Sequence, residues 1–286
     1  MSKAVTSRSK NVVAGGHGSE GSKEESALAE DADLRDLRGE VAEAAGSLEG
    51  ESPQDILGWA VERFGSGLAL SVSFGGPEGM VLLDMLSKAV ERTPALAADR
   101  DARPTVITLD TGFLFSETVR FREKAMRRYN NLNLEVARPA LSIQEQVERY
   151  GVGMYGCKPD TCCQIRKVEP MRRALADYEA WMTGIRREQT ANRADTPVVG
   201  VDEQFGRAKV APLAGWATED VEGYIEAHDV PVNPLLSQGY TSLGCWPQTR
   251  PVGEGEDWRA GRWSGSGKTE CGLHFAGSAS NAGGGE

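Results

Sequence analysis

Leu68-Ala-Leu-Ser-Val-Ser-Phe74, then Gly75-Gly-Pro-Glu-Gly79, then Met80-Val-Leu-Leu-Asp-Met-Leu86 is the stretch that decides the fold. The first segment is a short apolar run bounded by glycines, the pattern of a strand buried on both faces of a parallel sheet. The second reads as a loop, and the third starts a helix. In that order they turn backbone N–H groups and the positive end of a helix dipole toward an anion. The loop lacks the Lys-Ser/Thr ending of a Walker sequence and the spacing of a dinucleotide fingerprint, so by itself it is a weak phosphate-binding signal.

The same alternation continues downstream. Pro104-Thr-Val-Ile-Thr-Leu109 predicts a second strand, and Asp110-Thr-Gly112 follows it. A carboxylate and a hydroxyl at the C-terminal end of a parallel strand lie where open α/β sheets bind ligands. The pattern then predicts a helix over 116–129, a strand over 134–137 and a helix over 142–150. Repeated strand–helix units at this spacing mean a mostly parallel sheet flanked by helices, an α/β fold.

Cys157-Lys-Pro-Asp-Thr-Cys-Cys-Gln-Ile-Arg-Lys167 comes next. A helix starting near Cys162, capped by Asp160 or Thr161, would hold two adjacent thiols at its positive end, lowering their pKa and favouring metal binding. Pro170 predicts a kink or restart in that helix. Ala180-Trp-Met-Thr-Gly-Ile185 reads as a fourth strand ending in Arg186 and Arg187, which suit either an oxyanion or a solvated basic turn. Short edge strands are expected over 197–201 and 209–212. An amphipathic helix with a Thr218 N-cap should end at a structural His228. The loops beyond deliver Cys245-Trp-Pro-Gln248 and Trp258-Arg-Ala-Gly-Arg-Trp263.

Ahead of the first strand, Leu34, Leu37, Val41 and Ala45 share a helical face, and Ser52-Pro53 caps a second helix with a stripe of Ile56, Leu57, Ala60, Val61 and Phe64. These two helices are expected as an N-terminal lid over 31–66. The main domain then spans 67–250 and a C-terminal arm 251–275, with disorder expected over 1–30 and 276–286.

The net charge of −10 is concentrated: Glu20–Glu62 holds thirteen acids and three bases, and the rest balances. This argues against a general nucleic-acid surface while leaving an anionic substrate open. No apolar run is long enough for a bilayer span, and the N-terminus has no secretory apolar core. Five cysteines, an odd number with two adjacent, suit thiols used for metal or redox chemistry in a reducing cytoplasm better than a disulfide framework.

The fifth cysteine sits in Lys268-Thr-Glu-Cys-Gly-Leu-His-Phe275, flanked by Gly/Ser-rich sequence. It reads either as a stray thiol in a floppy tail or as a mobile thiolate, Cys271, delivered to a site elsewhere and then to a second partner.

Six landmarks decide between these. They are Ser-Val-Ser-Phe-Gly-Gly-Pro-Glu (71–78), Leu-Asp-Thr-Gly (109–112), Cys-Cys-Gln-Ile-Arg-Lys-Val-Glu-Pro (162–170), Gly-Ile-Arg-Arg-Glu-Gln (184–189), Gly-Tyr-Thr-Ser-Leu-Gly-Cys (239–245) and Glu-Cys-Gly-Leu-His (270–274). In this order they resemble the assimilatory adenylyl-sulfate/phosphoadenylyl-sulfate reductase family. The resemblance implies an adenine-nucleotide α-hydrolase-like sheet of the PP-loop type with a flexible catalytic tail. It implies that Cys271 attacks the sulfur of adenylyl sulfate, that AMP leaves, and that thioredoxin or glutaredoxin, as a separate donor, releases sulfite from the S-sulfocysteine. His274 would assist the thiolate. Ser73, Gly75, Gly76 and Glu78 would surround the substrate with Asp110, Thr111 and Gly112, and Lys167, Arg186, Arg187, Arg259 and Arg262 would supply cations.

In one branch of that family the paired cysteines join a later Cys-x-x-Cys to hold a 4Fe–4S cluster. Here the later motif ends in Gln248. The resemblance therefore implies a cluster on Cys162, Cys163 and Cys245 with Cys157 or Gln248 fourth, against a labile or absent cluster, or zinc. Paired cysteines favour adenylyl sulfate over its 3′-phosphorylated form. The remaining alternatives are an ATP-using PP-loop enzyme such as a sulfate adenylyltransferase subunit and a non-catalytic metal-bearing redox sensor. The oligomeric state stays open, a homo-oligomer included.

Overall fold

The computed structural model describes residues 36–263, 268 and 270–273. Six strands form one sheet in the order β3-β2-β1-β4-β6-β5. They are β1 (Leu68–Ser71), β2 (Thr105–Leu109), β3 (Asn133–Ala137), β4 (Ala180–Met182), β5 (Val199–Asp202) and β6 (Arg207–Val210). All neighbours are parallel except the β5–β6 hairpin. The chain runs outward from β1 to β3, then returns to place β4 on the other side of β1. The sheet thus has a switch point between β1 and β4, where open α/β sheets form their ligand crevice.

The central strand is apolar on both faces for a visible reason. Leu68 and Leu70 face the larger core, with Met80, Leu83, Phe121 and Val210. Ala69 faces the opposite core with Ile107, Met171 and Trp181. In register, Ala69 lies beside Trp181, so the small side chain leaves room for the indole.

α1 (36–48) and α2 (Pro53–Phe64) belong to the larger core rather than to a lid. Val41 and the whole α2 stripe are buried in it. Ser52 caps α2 as its sequence predicts, accepting the Asp55 N–H at 3.2 Å. α3 (Pro77–Arg92) and α4 (Pro94–Ala98) lead to β2, and α5 (Ser116–Arg128) to β3. α6 (Ile143–Tyr150) starts at a capping box on Ser142.

Several expectations are corrected. β6 lies inside the sheet between β4 and β5, because β4 offers it a parallel edge; of the two, β5 alone is an edge strand. β4 stops at Met182, and residues 183–185 leave the sheet for the crevice. α10 (Thr218–His228) has Ala217 as N-cap; the Thr218 hydroxyl instead donates to Glu188 at 2.6 Å. His228 packs on Tyr224 with ring centroids 4.1 Å apart, the structural role expected of it.

The paired cysteines are not at a helix start. α7 (Met154–Cys157) is followed by α8 (Pro159–Cys163), so Cys162 and Cys163 end α8. A π turn, Gln164–Val168, then leads into α9 (Glu169–Leu175). Pro170 has no N–H for the Arg166 carbonyl, and the Glu169 N–H bonds five residues back to Gln164, so the expected irregularity takes this wider form.

Candidate active site

The crevice opens at the carboxyl ends of β1, β2 and β4 and is floored by the glycine-rich loop. Ser73 Oγ accepts the Gly75 N–H at 3.2 Å, and Gly76, the N-cap of α3, has no side chain to block the exposed N–H groups. A Cβ on Gly184 would lie 2.8 Å from Glu78 Cβ, so only glycine lets the end of β4 close on this loop. Phe74 adopts a positive φ of 54°, and its carbonyl accepts the Asn233 amide at 2.9 Å, which helps fix the turn.

Ser73, Gly75, Gly76, Glu78, Thr111, Lys167, Arg259, Arg262 and Cys271 line the crevice, and Cys245, expected as a metal ligand, lines it too. The π turn aims Lys167 inward. Residues 261–263 fold back on 248–250: Thr249 bridges Arg262, and the Trp263 N–H bonds Gln248 O at 3.0 Å. That return sets Arg262 against Ser242 and Leu243, with Nε buried and without a hydrogen-bond partner among the described residues.

Cys271 Sγ lies 3.8 Å from Lys167 Nζ. A hydrogen bond from the Cys163 thiol holds Cys271 well below the usual thiol range, with help from Lys167, the Leu273 backbone and Arg262 against the cost of burial. Cys163 is pushed up by the same hydrogen bond and by burial. Burial alone would lower Lys167, but the facing cysteines, Cys271 first, outweigh it and raise it. Cys162 is raised by burial and by Cys245, the reverse of the effect expected at a helix N-terminus.

Four predicted residues lie elsewhere. Arg186 is buried, its guanidinium taken up by Glu78, Glu188, Thr218 and the Trp216 carbonyl. Arg187 grips Glu49 with two bonds of 2.7 and 2.9 Å on the outer surface. Both arginines brace loops instead of facing a ligand. Asp110 accepts the Gly112 N–H at 3.2 Å and faces Arg138 at 3.7 Å. Gly112, at φ 75°, turns the chain against Ile143. His274 falls outside the described residues.

Sequence reading missed three charged or amide-bearing members of the crevice: Gln189, Arg193 and Glu270. Glu270 was visible inside Glu-Cys-Gly-Leu-His, and Gln189 at the end of Arg-Arg-Glu-Gln. Arg193 has no local signal, since its partner is 77 residues away. The lining carries four cations (Lys167, Arg193, Arg259, Arg262) against two carboxylates (Glu78, Glu270), an excess that suits an anion beside a thiolate.

The residues do not make a four-thiolate metal site as they stand. Cys162, Cys163 and Cys245 are buried, but Cys157 is exposed on α7. Gln248 gives its amide N–H to the Tyr155 carbonyl, tying its turn to α7, and Cys245 Sγ lies 3.4 Å from Thr111 Oγ1. Among the described residues, no three Cys, His, Asp or Glu side chains group as metal ligands.

A switch-point crevice with a glycine-rich loop, an excess of cations and a depressed thiol above them defines a nucleotide-using enzyme of the adenine-nucleotide α-hydrolase-like, PP-loop class. Comparison with known proteins is specific. A family model described as "Phosphoadenosine phosphosulfate reductase domain" matches residues 67–251, and the chain belongs to that family. An adenosine 5′-phosphosulfate reductase of Halalkalibacterium halodurans is 43% identical over 234 residues, covering 82% of this chain and 96% of the relative. A phosphoadenosine 5′-phosphosulfate reductase of Gloeobacter violaceus is 44% identical over 225 residues, covering 78% and 89%. The crystal structure of a phosphoadenylyl-sulfate reductase from Candida auris superposes with a TM-score of 0.59 at 30% identity, covering 73% of this chain and 96% of that one.

Proposed function

We propose that this protein reduces adenylyl sulfate to sulfite and AMP. The observation that carries the reading is the depressed Cys271 thiol within the crevice, 3.8 Å from the Lys167 ammonium. The thiolate attacks the sulfate sulfur, an S–S bond forms, and the S–O bond to AMP breaks with its electron pair leaving on the phosphate. Lys167, Arg259 and Arg262 offset the charge on the sulfonate and leaving group. The glycine-rich loop and the N-terminus of α3 hold the nucleotide's anionic end. A dithiol protein then supplies two electrons: one thiol takes the Cys271 sulfur into a mixed disulfide, sulfite leaves, and the second thiol frees Cys271. Thioredoxin or glutaredoxin fits this role. The five free cysteines fit a reducing cytoplasm, and no helix among the described residues is long and apolar enough to cross a membrane.

The finer cofactor reading, a 4Fe–4S cluster on Cys162, Cys163 and Cys245, has three buried thiols in its favour and lacks a fourth; no step above uses it. A second substrate, the 3′-phosphorylated nucleotide, is favoured by the relative of that name at 44% identity. The test is sulfite release from each nucleotide with thioredoxin as donor. Adenylyl sulfate should support turnover and Cys271→Ser should abolish it; turnover restricted to the phosphorylated nucleotide reverses the substrate assignment, and no sulfite from either rejects the function.

A further inference from the structure

Glu270 immediately precedes the nucleophile and is only 2% exposed. Its two oxygens accept Arg193 Nε and Nη2 at 2.8 Å each, a bidentate pair that fixes orientation as well as distance. Oε1 also accepts the backbone N–H of Cys271 at 2.8 Å and lies 3.4 Å from Arg259 Nη2. Arg193 Nη1 donates to Gln189 Oε1, and Gln189 Nε2 donates to Glu78 Oε1 at 2.8 Å. One unbroken hydrogen-bonded line therefore runs from the first turn of α3, behind the glycine-rich loop, to the main chain of Cys271.

We propose that Arg193 and Glu270, backed by Gln189, are positioning residues that seat the Cys271 segment in the crevice and lock that seat to the glycine-rich loop. The proposal rests on the reading of Cys271 as the nucleophile. The sulfur itself meets the Cys163 thiol and the Lys167 ammonium, while the main chain of its segment is held by Glu270. Lys268, three residues before Cys271, pairs with Asp160. The Glu270 carboxylate is the group that bonds both a side chain of the main domain and the Cys271 backbone.

The test compares Glu270→Gln, Arg193→Gln, the double variant and Arg193→Lys, each checked for folding by circular dichroism and thermal unfolding. Three quantities are read: single-turnover sulfonation of Cys271 at saturating adenylyl sulfate, nucleotide affinity, and alkylation of Cys271 by iodoacetamide without nucleotide. Each single glutamine variant should slow sulfonation about 10²-fold, the order expected for an ångström of misplacement. Affinity should change less than about 3-fold. The double variant should be no slower than the slower single one, because the pair acts as a unit. Arg193→Lys, which keeps the charge and folds with least disturbance, should recover part of the rate. Alkylation should shift in the same variants. Unchanged sulfonation and alkylation, losses that multiply in the double variant, or a loss confined to affinity would each overturn the seat. If the wild type forms no adduct, the nucleotide chemistry fails while the alkylation series still judges the seat.

Discussion

Lys167 Nζ stands 3.8 Å from Cys271 Sγ, across 104 residues of sequence. Neither residue's own segment explains the contact. The π turn before Pro170 points the ammonium inward, and the Glu270 ion pairs bring the sulfur to it. The result is an ion pair of thiolate and ammonium where part of the crevice's cationic excess is gathered.

Replacing Lys167 by Met removes that cation while keeping side-chain bulk. The ammonium and the Cys163 hydrogen bond both favour the thiolate, so the midpoint of Cys271 alkylation against pH lies below the ordinary thiol range in the wild type and should move up in the variant. At pH values below both midpoints the alkylation rate should fall about 10-fold, for one pKa unit of lost stabilisation. An unmoved profile would mean that Lys167 does not tune the sulfur.

The two guanidinium groups at the end of β4 should behave unlike those of the C-terminal return. Arg187→Gln removes a surface pair with Glu49, worth about 0–1 kcal/mol, and should leave sulfite production nearly unchanged. Arg262→Gln should lower kcat/KM by about 10²-fold or more, the loss expected for a charge-stabilising donor. Steady-state kinetics on both variants check the contrast; equal losses would restore Arg187 to the ligand site.

Gly184→Ala places a methyl 2.8 Å from Glu78 Cβ and 3.3 Å from the Gly79 nitrogen. Backbone cannot yield as a flexible side chain does, so the loop must shift, at about 1–3 kcal/mol of stability. Calorimetry should show that loss together with weaker binding of AMP. A variant with wild-type stability and affinity would show that the close approach is not required.

Gln248→Cys supplies the thiol that the buried set lacks. After anaerobic incubation with ferrous iron and sulfide, the variant should retain more iron and acid-labile sulfide than the unaltered chain. Equal and full loading of both would show that the native residues complete a cluster by a route other than position 248.

Much of the fold was legible because its signals are local. The order of strand, glycine loop and helix and the Ser52 cap read correctly from a few residues, although β1 ends at Ser71 and α3 starts at Pro77. What failed depended on long-range partners. β6 has the composition of an edge strand, yet β4 offers it a parallel neighbour. Arg186 and Arg187 sit at a strand end where ligands bind, but Glu78, Glu188 and Glu49 claim them first. Arg193 carries no local sign of its role, because Glu270 reaches it only after the C-terminal segment returns to the crevice.

The central claim is that Cys271 takes a sulfonate from adenylyl sulfate. Mass spectrometry of intact protein and its peptides, after mixing with the nucleotide and no reductant, tests this most directly. The account predicts one added SO₃ group on the peptide holding Cys271, released as sulfite when a dithiol is added. An unmodified Cys271, or the same group on another residue, would contradict it.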